Sequence, residues 1–264
     1  MVSYRVLFML VTASFLLAGC SLVTQPPPPG PVPVISGEEA LSSIWLEARQ
    51  IRSLEVRARV RITEQEKPGP WVNCKVWMFD APSSSALRMR GFGPFGMSLF
   101  DILSAGGHTT VRISRSGEEY SGRFFSLWEH QVDAEKVKKL LILALKPWKM
   151  AETQGEKRAW NCSNDRICLS CRTGQEELEG GFRPVAADDG GSMEFLPLYL
   201  KSSRFQVNYS GTIPVAYPEE GVKGPALYPA RIKVRAGPWH IRMELLVKSV
   251  AANSLSDESP VFSP

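Results

Sequence analysis

Apolar positions along this chain recur at two different spacings, and the switch between them marks its elements. From Ser36 to Ile51 they fall three and four residues apart: Leu41, Ile44, Trp45, Ala48 and Ile51 make one helical face. Ser36 precedes Gly37-Glu38-Glu39, an N-cap followed by acids that complement the positive end of a helix dipole. At Leu54 the period drops to two. Leu54, Val56, Ala58, Val60 and Ile62 alternate with Glu55, Arg57, Arg59 and Arg61, which predicts a strand with one buried and one wet face. The arginine row reads as that wet face, with a phosphate clamp as the alternative.

Short strands follow, separated by turn residues. Lys67-Pro68-Gly69-Pro70 is a turn, Trp71–Phe79 a second strand with Val72, Cys74, Val76 and Met78 in phase, and Asp80–Ser85 a turn again. Ala86–Arg90 predicts a third strand with Arg88 and Arg90 outward. Gly91-Phe92-Gly93-Pro94-Phe95-Gly96 breaks the ladder before Met97–Leu103 and Thr109–Ile113. From Asp133 to Leu145 the period is helical once more: Val137, Leu140, Leu141 and Ala144 form a stripe, Lys136, Lys138 and Lys139 lie opposite, and Pro147 stops it. Residues 151–193 are polar and glycine-rich and predict a hairpin plus an irregular insertion. Strands resume at Leu198–Tyr209, Ala230–Arg235 and Trp239–Val250, and a polar, loose tail runs from Ala251 to Pro264. Sequential short strands with tight turns argue for an antiparallel sheet.

The N-terminus is of a different kind. One charge, Arg5, precedes an apolar run from Val6 to Ala18, shorter than the roughly 20 residues a membrane-crossing helix needs. It fits the core of a secretory signal, residues 1–19. The run closes with Leu17-Ala18-Gly19-Cys20, which resembles a lipobox, where the thiol of Cys20 takes lipid before cleavage; a plain cleaved signal with a chance cysteine is the alternative. Residues 20–35 hold prolines 26, 27, 28, 29, 31 and 33 and predict a stiff polyproline tether. Several acyl chains, palmitate among them, would hold the body stably at a membrane. Ser21 is not the aspartate that keeps enterobacterial lipoproteins in the inner membrane, so the expected location is the periplasmic face of the outer membrane.

Composition narrows the function. The formal net charge of +4 is spread among interspersed acids, with no footprint of nucleic-acid binding. No Gly-x-Ser-x-Gly elbow or His-Glu-x-x-His occurs, and His108, His130 and His240 read as structural or surface residues, so neither an enzyme nor a cofactor is expected. Beyond Cys20 four cysteines remain: Cys74, Cys162, Cys168 and Cys171. In an oxidising compartment they suggest two structural disulfides, the easiest closing Cys162 onto Cys168 or Cys171; a redox pair or a metal site are the alternatives, and the distant histidines count against metal.

The order helix, antiparallel strands, short helix, more strands resembles the LolA/LolB fold, and three local matches bring it nearer to LolB-like outer-membrane lipoproteins. Gly93-Pro94-Phe95-Gly96 stands at that family's Asn-Pro-Leu-Gly turn. Val137–Pro147 is similar to its amphipathic helix ending in Leu-Pro, and Tyr228-Pro229-Ala230 with Trp239-His240-Ile241-Arg242-Met243 to its closing hairpin. The likeness covers most of residues 36–250 except 151–193. It implies a mainly β (α+β) fold, an incomplete antiparallel β-barrel with helices as lid. It also implies an apolar cavity for the acyl chains of a lipoprotein, received from a periplasmic carrier protein. Phe95 takes the place of the leucine that assists delivery into the outer membrane, with Phe92, Pro94 and Met97 completing a membrane-insertion loop. One aromatic side chain placed in an interface would contribute about 1.5–3 kcal/mol. Candidate cavity residues are Trp45, Val56, Val60, Val76, Met89, Leu99, Leu140 and Leu245. The alternative is a structural lipoprotein that uses the same fold as a solid scaffold in an envelope assembly.

Overall fold

The alternating run at Leu54 forms β1 (Ser53–Glu64), and the last strand, β16 (Ile241–Ala252), pairs antiparallel along it, Val56 opposite Val250 and Val60 opposite Leu245. The computed structural model describes residues 35–262 except 65, 81–84, 115, 123, 128–129, 164, 175, 187–192, 219–223, 238–240 and 256–259. The signal segment, Cys20 and nearly all of the tether lie outside the described residues, as do Trp239 and His240 and the side chain of His130.

Because first and last strands meet, the sheet grows outward on both sides. On one side β1 pairs with β3 (Val72–Asp80), followed by β4 (Ser85–Phe92), β5 (Ser98–Ala105), β6 (His108–Ile113) and β7 (Glu118–Gly122); β2 (Lys67–Pro68) pairs with the end of β1. On the other side β16 pairs with β15 (Leu227–Ala236), then β14 (Phe205–Ala216), β13 (Met193–Lys201), β12 (Glu176–Ala186), β11 (Arg166–Thr173) and β10 (Glu156–Ser163). Neighbours along this path are antiparallel, and the path does not close on itself among the described residues. The result is an open, incomplete barrel. The chain passes from the β7 edge to the β10 edge through a hairpin, β8 (Phe124–Leu127) and β9 (His130–Asp133), then α2 (Ala134–Leu145) and a 3-10 turn (Pro147–Ala151).

Local chemistry sets the helix ends. In α1 (Gly37–Gln50) the Glu39 amide donates to Ser36 Oγ (3.2 Å) while Glu39 Oε2 accepts from the Ser36 amide (3.0 Å), a reciprocal cap. Asp133 Oδ1 accepts from the Glu135 amide (3.0 Å) at the start of α2, and Pro147 ends the α-helical turn.

Both helices lie on one face of the sheet, here the inner face. Ile44 and Ala48 of α1, Leu140, Ala144 and Leu145 of α2, and Trp148 and Met150 of the 3-10 turn join the buried side chains of β1, β3, β4, β11 to β16 in one core. Three polar tips hold the crossover to the sheet: Tyr209 Oη donates to the Leu143 carbonyl (3.3 Å), Tyr228 Oη to that of Leu145 (2.6 Å), and Trp148 Nε1 to that of Phe195 (2.7 Å). Lys146 is completely buried and its charge is met by Asp80 at the end of β3 (3.1 Å), which also binds Lys149 (2.6 Å).

Several sequence expectations need correction. Residues 151–193 are no irregular insertion: β10, β11 and β12 extend the sheet to its edge. Leu198–Tyr209 is two strands, broken at residues 202–204 where the Ser202 amide donates to the Phe205 carbonyl (2.8 Å). Arg88 does face outward, across from Trp77, but it is buried there under the tail, its guanidinium forked onto Asp101 (2.9 and 2.6 Å). Lys138 is buried beside Glu135 (2.9 Å). The tail is tied down: Arg88 Nη1 donates to the Val261 carbonyl (2.7 Å), and Phe262 packs with Trp77, Phe79 and Ala86 in a small second core on the outer face.

Candidate functional site

Strand pairing collects the inner-face side chains into rows. One row runs from Val250 through Val56, Val76, Met89, Ile102 and Val111 to Tyr120, each opposite the next across β16, β1, β3, β4, β5, β6 and β7. Cover falls along it. Val56, Val76 and Met89 are buried under the helices, Ile102 and Val111 are half-buried, and Tyr120 is 43% exposed. A parallel row, Cys74, Gly91, Phe100 and Ile113, shows the same decline. Gly91 is needed there, because a Cβ would stand 2.2 Å from the Phe100 ring. Between the Ser104–Thr109 pair and Glu118, the inner faces of β5 to β7 thus form an apolar shelf only part-covered by the protein.

At the end of this shelf stands the β4–β5 turn. The Gly93 amide donates to the Met97 carbonyl (2.8 Å), closing Pro94-Phe95-Gly96 into one tight turn. Phe95 sits at φ 60°, ψ 20°, a left-handed conformation unfavourable for a residue with a Cβ by roughly 1–2 kcal/mol. Its ring is fully exposed, and Met97 beside it is 60% exposed. The chain here spends backbone strain to hold an aromatic ring in solvent. Pro94 is exposed as well. Phe92 is not part of the loop: it ends β4, half-buried, opposite Asn73 and Ser98.

The proposed cavity residues separate into three groups. Val56, Val60, Val76, Met89, Leu140 and Leu245 come together in the main core on the inner face. Leu99 is on the other face of β5, in phase with Asp101 and Leu103, and lies over Gly93. Apolar residues in both phases of β5 hid which face was inner. Trp45 is on the solvent side of α1, beneath Arg49 (4.6 Å), and lines an open hollow of about 450 Å³ with Leu41, Leu46 and Ala151. A larger groove of about 730 Å³ runs between the start of α1 and β10, with Trp160, Arg158 and Glu177 in its wall. Both openings follow α1 rather than the shelf. Phe100, Ile102, Val111 and Tyr120, which do form the shelf, were not singled out from sequence; Phe100 and Ile102 share a phase that alternation could have offered.

Of the four cysteines, Cys162 and Cys168 are bridged across β10 and β11. Cys74 and Cys171 are free thiols, so a second disulfide does not form: Cys74 is on β3 and Cys171 on β11, seven strands apart in the sheet order. Burial pushes the Cys74 thiol up to about 12, far from a reactive thiolate. Among the described residues no three His, Cys, Asp or Glu side chains gather as a metal site, and no helix is long and apolar enough to cross a membrane.

No family model matches this chain, and no curated protein sequence does either. Its fold does match a solved structure. A DUF1329 family protein from Desulfovibrio piger overlays with a TM-score of 0.54 at 11% identity, covering 86% of this chain and 98% of that one. Looser overlays are found with a domain from Vibrio parahaemolyticus named for outer membrane lipoprotein sorting (TM-score 0.45, 5% identity, 85% and 97% covered). A LolA superfamily protein from Nitrosomonas europaea is similarly distant (TM-score 0.41, 12% identity, 88% and 99% covered). Those two overlays are too loose to carry an argument. The first shows a shared architecture, an open antiparallel sheet.

Proposed function

We propose that this chain is a lipoprotein, anchored through Cys20 on the periplasmic face of the outer membrane, that shelters acyl chains on its inner face and helps insert lipoproteins into that membrane. The observation that carries the reading is the apolar shelf of Phe100, Ile102, Val111 and Tyr120, left part-covered beside a strained turn that displays Phe95. A sheet face this apolar is ordinarily sealed, and each CH₂ of a fatty chain laid on it would contribute about 0.8 kcal/mol. The buried side chains Val56, Val76 and Leu140 lie deeper along the same face, where chains would reach once α2 moves aside. Phe95 then meets the acceptor bilayer, adding too little to anchor the protein but enough to orient it.

Native mass spectrometry of the purified, detergent-free protein tests the shelf: co-purifying amphiphile, lost on Ile102→Glu, is the expected result. Phe95→Glu should slow delivery of a bound lipoprotein to acceptor vesicles at least tenfold with cargo binding unchanged; undiminished delivery removes the wedge. A second reading, a scaffold without transfer, is favoured by the close packing of Val56, Val60, Val76 and Leu245, each at most 2% exposed. Lipid-free protein that also binds no fatty-acid probe would select it.

A further inference from the structure

The outer face of the sheet is not uniform. Over β3 to β5 the C-terminal tail covers it, with Phe262 on Trp77 and Phe79. Over β10 to β13 its bases are matched by acids: Arg158 with Glu156, Arg172 with Glu177, Lys201 with Glu179. Between these regions, toward one end of β1, β16, β15 and β14, bases outnumber the acids that match them.

Three cross-strand rows show it. Arg59 lies opposite Leu246, then Arg231, then Ser210; Arg61 opposite Glu244, then Lys233, then Asn208; Thr63 opposite Arg242, then Arg235, then Gln206. Six bases share this grid with one acid, Glu244, which bridges Arg61 (2.7 Å) and Arg231 (3.3 Å). Arg242 reaches Glu66 beyond the grid (3.3 Å). Lys233 and Arg235 make no ion pair among the described residues and are exposed, and Arg235 faces Arg242 directly. Like charges in direct register weaken a sheet, so the sheet's own stability does not account for them. The grid measures roughly 14 Å on a side at ordinary strand spacing.

Its rim adds a second observation. The Trp71 ring lies under the Arg59 and Arg61 guanidiniums (5.4 and 4.6 Å), an aromatic group beside cations. Val60 pairs with Val72 and Asn73 with Phe92, so Trp71, Arg61, Arg242, Arg235 and the Phe95 turn all belong to one end of the sheet. Cations next to exposed apolar side chains suit a bilayer interface, where phosphates and acyl chains are a few ångströms apart.

We infer that the cationic grid of β1, β16, β15 and β14 docks the body on anionic phospholipid headgroups, with the Phe95 turn pointing into the bilayer. This rests on the proposed membrane tether, which keeps the body within reach of a bilayer, and not on any cargo. All of the described core lies in the compact unit from Pro33 onward, so that body can be tested without its leader.

The test is co-sedimentation of the body with vesicles of phosphatidylcholine alone or mixed with phosphatidylglycerol, at low and high salt. Binding is expected only to the mixed vesicles and should fade as salt screens it. Lys233→Gln with Arg235→Gln should lower the partition coefficient roughly thirtyfold while the melting temperature holds or rises, because a like-charge contact is removed. Equal binding to both vesicle types, or unchanged binding by the double variant, overturns the proposal. So does loss of binding to polyglutamate with vesicle binding intact, which would assign the grid to an acidic protein. Protein without cargo that still shows the charge-dependent binding leaves this inference standing while the carrier reading falls.

Discussion

The two arms of the sheet solve the same problem in opposite ways. In the β10–β13 arm, Leu169, Phe182, Phe195 and Leu200 are buried beneath α1 and the 3-10 turn, and a disulfide joins the outermost pair of strands. In the β4–β7 arm the inner face carries an apolar stretch flanked by Ser104, Thr109 and Glu118, and there Phe100, Ile102 and Val111 remain half-open while Tyr120 stands in solvent. Charge pairing does not make the difference, since exposed ion pairs contribute only about 0–1 kcal/mol each. Helix cover does. One arm is a finished core, and the other keeps unspent burial that an amphiphile can supply.

The largest test of this contrast is the joint between the arms. Asp80, at the end of β3, neutralises Lys146 and Lys149 of the crossover, and both Asp80 and Lys146 are buried. Without Asp80 the buried Lys146 keeps only a longer contact to part-exposed Glu152 (3.6 Å), so most of the about 3–5 kcal/mol cost of breaking a buried pair remains. Asp80→Asn should therefore lower the unfolding free energy in urea by that amount. A loss under about 1 kcal/mol would mean that the crossover is held by packing alone.

Paired truncations sharpen the comparison at a smaller scale. Leu169→Ala, in the sealed arm, should cost about 2–5 kcal/mol. Ile102→Ala, on the shelf, should cost roughly half as much, since its side chain has less cover to lose. Added fatty acid should raise the melting temperature of the native protein, and less so that of the Ile102 variant. Equal costs at the two positions would contradict an open arm.

How much of this was readable from sequence follows from the range of the interactions. Ser36 and Asp133 act within three residues, so α1 and α2 were legible, and the strict alternation of Leu54 to Ile62 identified β1 and its face. Polar residues in both phases of residues 156–186 concealed three strands, since an outer arm whose inner face meets α1 only in places lacks a clean period-two pattern. Tail anchoring depends on the Val261 carbonyl, a backbone atom that carries no side-chain signal, and on Phe262, a single aromatic with no periodic pattern around it. The cationic grid was half visible. The row of Arg57, Arg59 and Arg61 is plain in the sequence, but Arg231, Lys233 and Arg235 join it only because β16 pairs with β1, bringing together residues such as Arg61 and Glu244 that are 183 positions apart.

The smallest expected effect concerns a charge inside the sealed arm. Glu47 projects from α1 into the core; its Oε1 accepts from the Phe195 amide (3.0 Å), while Oε2 is buried without a partner. Burial pushes its carboxyl well above the ordinary 4.5, the Phe195 amide pulls it back in part, and Glu194 pushes it further up. A raised acid destabilises the fold when it ionises. Below pH 4.5 both folded and unfolded states hold the proton and nothing is lost; above it the unfolded chain ionises first, so stability declines with rising pH until the folded group titrates too. Glu47→Gln keeps the oxygen that Phe195 needs and removes the charge, although its amide NH₂ gains no acceptor. It should be the more stable protein at alkaline pH, by on the order of 1 kcal/mol, and show a flatter stability profile above pH 4.5. Urea midpoints for the two proteins across that range decide the matter: profiles that run parallel would show that Glu47 does not titrate within the core, and the sealed arm would then be wetter than its packing implies.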